Sequence, residues 1–318
     1  MMFDFTDKSA IKVDDLLIFN RNEIHAYIEN NQILFDDLVL DHSPSKHMAY
    51  GYNRFNHLIK FSYEKNKVQK IVLVKEKPTT SRIKMTITYD GSGFHGFQFQ
   101  TKERTIQGEL SKVVSNITGE DILVQGASRT DALVHALEQV VHFDTTIDLS
   151  EEKWLEVVNH QCPKDVHILS VEKVHPLFHS RYDVFQKKYI YKIHMGEYNP
   201  LLSNYYWFEK DLDIFKMKEA IKVLEGTHNY KSFSKVQEGD LIRTIYHTDI
   251  YKDGDILMIE MVGNGFLRYM VRLIVEYLVR IGKHKATYSM SEVLEKKDRS
   301  ETNHIAPAEG LYLEKIYY

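Results

Sequence analysis

From Ile83 onward the hydrophobic period of the chain switches between that of a strand and that of a helix, and this limits the fold more than any other feature. Met85, Ile87 and Tyr89 alternate with Lys84, Thr86 and Thr88, and Asp90-Gly91 closes the run as a turn pair. The segment TIQGELSKVVSNITG then places Ile106, Leu110, Val113, Val114 and Ile117 at helical spacing, with Gly119 as a stop. QVVHF is strand-like, and EEKWLEVVNH follows Ser150, a natural N-cap. The second half repeats these ingredients. Strands are expected over Lys188 to His194, Thr244 to Tyr251 and Ile256 to Val262, and helices over Leu212 to Leu224 and Phe266 to Ile281. Both halves mix antiparallel-looking strands with helices, which predicts an α+β fold rather than a doubly wound sheet.

The first 80 or so residues differ. LLIF, QILFDDLVL and the alternating run from His57 to Pro78, broken at Glu64-Lys65-Asn66-Lys67, read as strands and a hairpin, and Pro78-Thr79-Thr80-Ser81 reads as a linker. The expected division is therefore a small β-rich N-terminal domain over 1–80, a first half over 81–186 and a second half over 187–318. The leading stretch holds 11 basic and 11 acidic residues, so it is no basic arm.

Composition excludes more than it proposes. One cysteine, Cys162, leaves no intramolecular disulfide and no cysteine-rich zinc site. The 16 histidines include no pair at metalloprotease spacing, YDGSGFHG lacks dinucleotide-loop spacing and no P-loop is present, so chemistry without a cofactor is expected. The N-terminus is acidic and lacks an apolar core segment, and YMVRLIVEYLVRIG is charged and too short to span a bilayer. A cytoplasmic, non-membrane protein is expected. A net charge of −4 means that any phosphate-binding surface must be local.

One carboxylate stands out. In GASRTDALVHALEQVVHFDT, Asp131 lies on a short loop at the edge of a strand, two residues after Arg129. It is either a solvated loop charge or a group fixed at a structured junction. Arg272, Glu276 and Arg280 form a polar stripe at i, i+4, i+8 on an otherwise apolar helix. Arg272 pairs either with Glu276 on its own helix or, across a cleft, with Asp131. Tyr189 and Tyr191 share a strand face in KKYIYKI, either as core residues or, beside Lys187 and Lys188, as platforms for an unpaired base.

These blocks, taken in order, resemble a known family. YDGSGFHGFQFQ, RTIQGEL, GASRTDALVHALEQVVHFD, FHSRYDVFQKKYIYKI, RTIY, GNGFLRYMVRLIV and EGLYL make residues 83 to 318 similar to the tRNA pseudouridine synthase A family. The resemblance implies two α/β halves with mainly antiparallel sheets flanking a central cleft, and isomerisation of a uridine already in RNA, without metal or organic cofactor, by a homodimer that acts on the tRNA anticodon stem-loop. Residue by residue, it implies that Asp131 is the essential carboxylate, that Arg129 holds the RNA, that Tyr189 stacks on the flipped uracil and that Arg272 pairs with Asp131. Arg181, Lys187, Lys188, Arg243, Arg268 and His135 are assigned to the RNA cleft. The family motif has glycine where this chain has Ser128, Leu133 and Glu276, and tryptophan where it has Phe97; the leader is an addition. These departures suggest a paralogue that keeps the chemistry on another RNA. Ribosomal RNA as substrate, or a non-catalytic RNA-binding or RNA-folding role, are the alternatives.

Overall fold

The computed structural model describes residues 79–318 throughout; before them it describes the backbone of seven strand segments between Ile11 and Val74 and the Lys60 side chain. Leu58–Glu64 and Lys67–Val74 pair antiparallel as the expected hairpin. The expectation of a separate β-rich domain over 1–80 otherwise falls outside the described residues, as does the strand expected at LLIF.

The strands of the remainder are β1 (Ser81–Tyr89), β2 (Gln125–Gly126), β3 (His135–Thr145), β4 (Val166–Val174), β5 (Gln186–His194), β6 (Trp207–Phe208), β7 (Gly226–Asn229), β8 (Ile242–Asp253), β9 (Ile256–Gly263) and β10 (Leu311–Tyr317). The helices are α1 (Ile106–Thr118), α2 (Glu151–Gln161), α3 (Ile214–Lys222), α4 (Met270–Gly282) and α5 (Met290–Lys296). Their alternation confirms a mixed α+β fold.

The two halves do not carry separate sheets, which corrects the sequence expectation. All ten strands belong to one sheet in the order β4-β1-β3-β10-β5-β9-β8-β7, with β2 beside β3 and β6 beside β5. The seam is the C-terminal strand β10. It runs parallel to β3, with Ala136 opposite Leu313, and antiparallel to β5, with Tyr189 opposite Leu313. Apart from β3·β10 and β5·β6, every pairing in the sheet is antiparallel. No local pattern announces that a last strand will close the gap between two halves.

Local signals are otherwise obeyed. Ile83, Met85, Ile87 and Tyr89 are buried along β1, as their alternation requires. Thr105 caps α1 by accepting from the Gly108 N–H, and Gly119 ends it at φ 73°. Ser150 caps α2 through the Lys153 N–H. Trp154 of α2 is fully buried and meets Phe143 of β3 edge-on at 5.4 Å, which ties helix to sheet. The helix α3 packs on α4 and β8.

The helix expected from Phe266 begins only at Met270. Tyr269 sits at φ 65°, a left-handed conformation that cannot continue a right-handed helix, so Phe266 to Tyr269 form a loop instead. That loop faces the cleft.

Candidate active site

The loop carrying Asp131 is gripped from both sides. The Phe97 N–H donates to the Thr130 carbonyl at 3.0 Å, and the Leu133 N–H donates to the Phe94 carbonyl at 3.3 Å. The Thr130 hydroxyl hydrogen-bonds the buried Tyr89 hydroxyl at 2.7 Å. Gln139, fully buried, donates to the Ser128 carbonyl at 2.7 Å and accepts from the Ser128 N–H at 3.1 Å. The neighbouring segment needs its glycines: a Cβ on Gly96, at φ 93°, would meet the Thr130 carbonyl oxygen at 2.9 Å, and one on Gly91 would meet the Val134 carbonyl oxygen at 2.1 Å.

Leu133 occupies a family glycine position yet keeps a glycine-like backbone, at φ 66°. That left-handed backbone carries a strain cost of about 1–2 kcal/mol for a residue with a Cβ. Leu133 also packs against the core. Replacing it by Ala removes that packing and keeps the strain, whereas Gly removes both. Leu133→Gly is expected to be more stable than Leu133→Ala by about 1 kcal/mol, the reverse of the usual order. Paired denaturant melts check this, and an Ala variant at least as stable as the Gly variant would refute it.

Asp131 does not point into open water. Its side chain is 26% exposed, and its Oδ2 lies 3.5 Å from Nη1 of Arg272, itself 16% exposed. Burial raises the carboxyl above its ordinary value, while the charges of Arg272, Arg268 and Lys235 pull it back. Arg272 is anchored by its Nε, which donates to the Ala306 carbonyl at 2.7 Å. Between its two possible partners, Arg272 therefore meets Asp131 and not Glu276. Glu276 keeps a buried Oε2 with no hydrogen-bond partner among the described residues, and burial raises its carboxyl.

Tyr189 lies in the same cleft on β5, 7% exposed. Phe266 meets its ring edge-on at 5.1 Å, and its hydroxyl bonds to Ser128 at 2.8 Å. Burial first, and then the charge of Asp131, push its phenol up to about 12, against the Ser128 hydrogen bond. Tyr191 is a fully buried core residue whose hydroxyl donates to the Pro307 carbonyl.

The cleft between these groups holds about 940 Å³. Arg129, Arg181, Lys187, Arg243 and Arg268 line it, so the site is basic although the chain is not. Arg129 is exposed, with Nη1 donating to Gln98 Oε1 at 3.1 Å. Lys187 donates to the Ala127 carbonyl at 2.7 Å, and burial lowers its ammonium to about 8, helped by the nearby Arg181 and Arg129.

Two expected cleft residues are elsewhere. Lys188 is clamped between Glu260 at 2.8 Å and Glu314 at 3.0 Å, because successive strand residues face opposite sides of a sheet. His135 is buried outside the cleft. It accepts the Gly91 N–H on Nδ1, stacks on Tyr312 at 4.6 Å and turns Nε2 towards the Asn204 carbonyl.

The structure adds residues that the sequence patterns do not single out. Gln139 holds the loop backbone, Phe266 walls the tyrosine, and Tyr269 gathers the charges of Arg268, Arg272 and Lys235 over its ring at 5.1, 5.4 and 5.2 Å. Arg268-Tyr269 directly before an apolar helix was a readable signal for the last group; nothing in the sequence marks Lys235.

Among the described residues no cluster of His, Cys, Asp and Glu could hold a metal ion, and no helix is long and apolar enough to cross a membrane. A family model described as tRNA pseudouridine synthase matches residues 85–183 and 220–318. A protein of Geobacillus sp. (strain WCH70) named tRNA pseudouridine synthase A is 42% identical over 245 residues, covering 75% of this chain and 99% of the relative. A protein of the same name from Ligilactobacillus salivarius (strain UCC118) is 42% identical over 248 residues, covering 75% of this chain and 97% of its own.

Proposed function

The chain belongs to the tRNA pseudouridine synthase family, and on that premise we propose that Asp131 carries the reaction on a uridine drawn into the basic cleft. The activity is an isomerisation: the glycosidic bond from uracil nitrogen to ribose breaks, the base turns, and a bond from ribose to a ring carbon takes its place, that carbon giving up its proton while the freed nitrogen takes one up. Atoms and electrons balance within the substrate, so the reaction asks for a positioned carboxylate rather than an external reductant or donor.

The observation that carries the reading is the pairing of Asp131 with Arg272 in one cleft with Tyr189. Burial favours the neutral acid, and the charge of Arg272 opposes that shift, favouring the ionised form that the reaction needs. Tyr189 offers a ring for the extruded uracil. Extrusion costs a few kcal/mol of stacking, and Arg129, exposed at the cleft and held by Gln98, is placed to compensate it on the RNA. Arg181, Lys187, Arg243 and Arg268 receive phosphates.

The substrate we propose is a tRNA anticodon stem-loop, bound by a homodimer in the cytoplasm. Mapping pseudouridines in total tRNA and ribosomal RNA from cells with and without the gene tests this. Loss of a tRNA modification is the expected result, whereas loss confined to ribosomal RNA would replace the substrate.

Cationic lining also predicts steep salt dependence. Four or five phosphate contacts should weaken binding by roughly 10²-fold between about 50 and about 200 mM salt. An affinity that stays flat over this range would remove the cleft from RNA binding.

A further inference from the structure

Ser128 and Tyr189 are joined through their hydroxyls at 2.8 Å, and this bond links two elements 61 residues apart in the chain. One is the loop that carries Asp131 three residues later; the other is β5. Both side chains line the cleft, with Ser128 8% and Tyr189 7% exposed. The serine is not free to drift, because Gln139 holds its N–H and its carbonyl together. The family motif has glycine here, which offers no atom to a phenol.

A ring that is to lie under a flipped base must hold both its tilt and its height. The backbone of β5 fixes the ring at its root, and Phe266 meets it edge-on. Only a bond at the para hydroxyl acts at the far end of the ring, where the lever is longest. We propose that Ser128 is a positioning residue of the reaction: its hydroxyl holds the Tyr189 ring at a set distance from Asp131, so that base platform and carboxylate move as one unit. The proposal rests on Tyr189 being the platform for the uracil. A phenol pushed up to about 12 stays protonated at working pH, so the contact is a neutral bond between two hydroxyls.

A double-mutant cycle on kcat and KM tests it, with wild type, Ser128→Ala, Tyr189→Phe and the double variant on one tRNA substrate. Each single change should lower kcat roughly 3- to 10-fold, the range of one neutral hydrogen bond, with KM within about two-fold. The double variant should be no slower than the worse single one, because both remove the same contact. Wild-type kcat in Ser128→Ala, or losses that multiply in the double variant, would overturn the assignment. Should Ser128→Ala not fold, Tyr189→Phe decides alone, since unchanged kcat there leaves the bond without a role. Asp131→Asn on the same RNA is the separate control. If wild type turns over and that variant does not, a failed cycle removes Ser128 only.

Discussion

Asp131→Asn is expected to lose turnover by roughly 10⁴-fold or more, the upper range for a positioned acid–base group, while RNA affinity stays within a few-fold. The amide keeps the size of the carboxylate and can still accept from Arg272, so the cleft keeps its shape. What it loses is the negative charge, and with it the basicity and nucleophilicity needed to attack or to take a proton. Stability provides the control. Burial raises the folded-state carboxyl above its ordinary value of 3.8, so the folded protein binds that proton more tightly than the unfolded chain does. The associated stability is present below 3.8 and is lost as pH rises through the folded value. Above that folded value the ionised Asp131 therefore costs stability, and there the Asn variant should melt no lower than wild type. Single-turnover assays of pseudouridine formation, filter binding and thermal melts separate the three quantities. Measurable turnover near the wild-type rate would take Asp131 out of the reaction.

Arg272→Gln is the second large effect. Removing a charge that steadies a catalytic carboxylate should lower kcat by roughly 10²- to 10³-fold. Its pH signature is more diagnostic than its size. The Arg272 charge pulls the Asp131 carboxyl down, so without it the carboxyl titrates higher still. Turnover needs the ionised form, so the acid limb of the kcat profile should move to higher pH. Arg272→Lys keeps a charge but not the Nε donor that reaches the Ala306 carbonyl, so it should restore the position of the limb better than the rate. A limb that stays in place in Arg272→Gln would mean that Arg272 acts on the RNA rather than on Asp131.

Part of this site is legible in the sequence. The choice of Arg272 between Asp131 and Glu276 had a readable bias: an acid placed four residues before a base suits a helix better than the reverse order found here. Side chains in a first helical turn also lean towards the helix N-terminus, which for Arg272 is the cleft. Lys187 and Lys188 could likewise have been separated, since a period of two puts Lys187 on the face of Tyr189 and Lys188 on the other. The capping box of α5, Ser289 with Glu292, is present in the sequence as S-x-x-E. His135 could not be placed in this way. Its burial against Tyr312 depends on β10 arriving beside β3.

The sequence by itself determined the alternation of strands and helices, several of their caps and the motif order that marks the family. These depend on neighbours within a few residues, where covalent geometry and hydrophobic period leave little choice. Tertiary structure alone decided that one sheet spans both halves, that Ser128 reaches Tyr189 and that Lys235 joins the charges around Asp131. Such contacts form between segments whose approach is set by the packing of the whole sheet, and no local pattern encodes a distance between them.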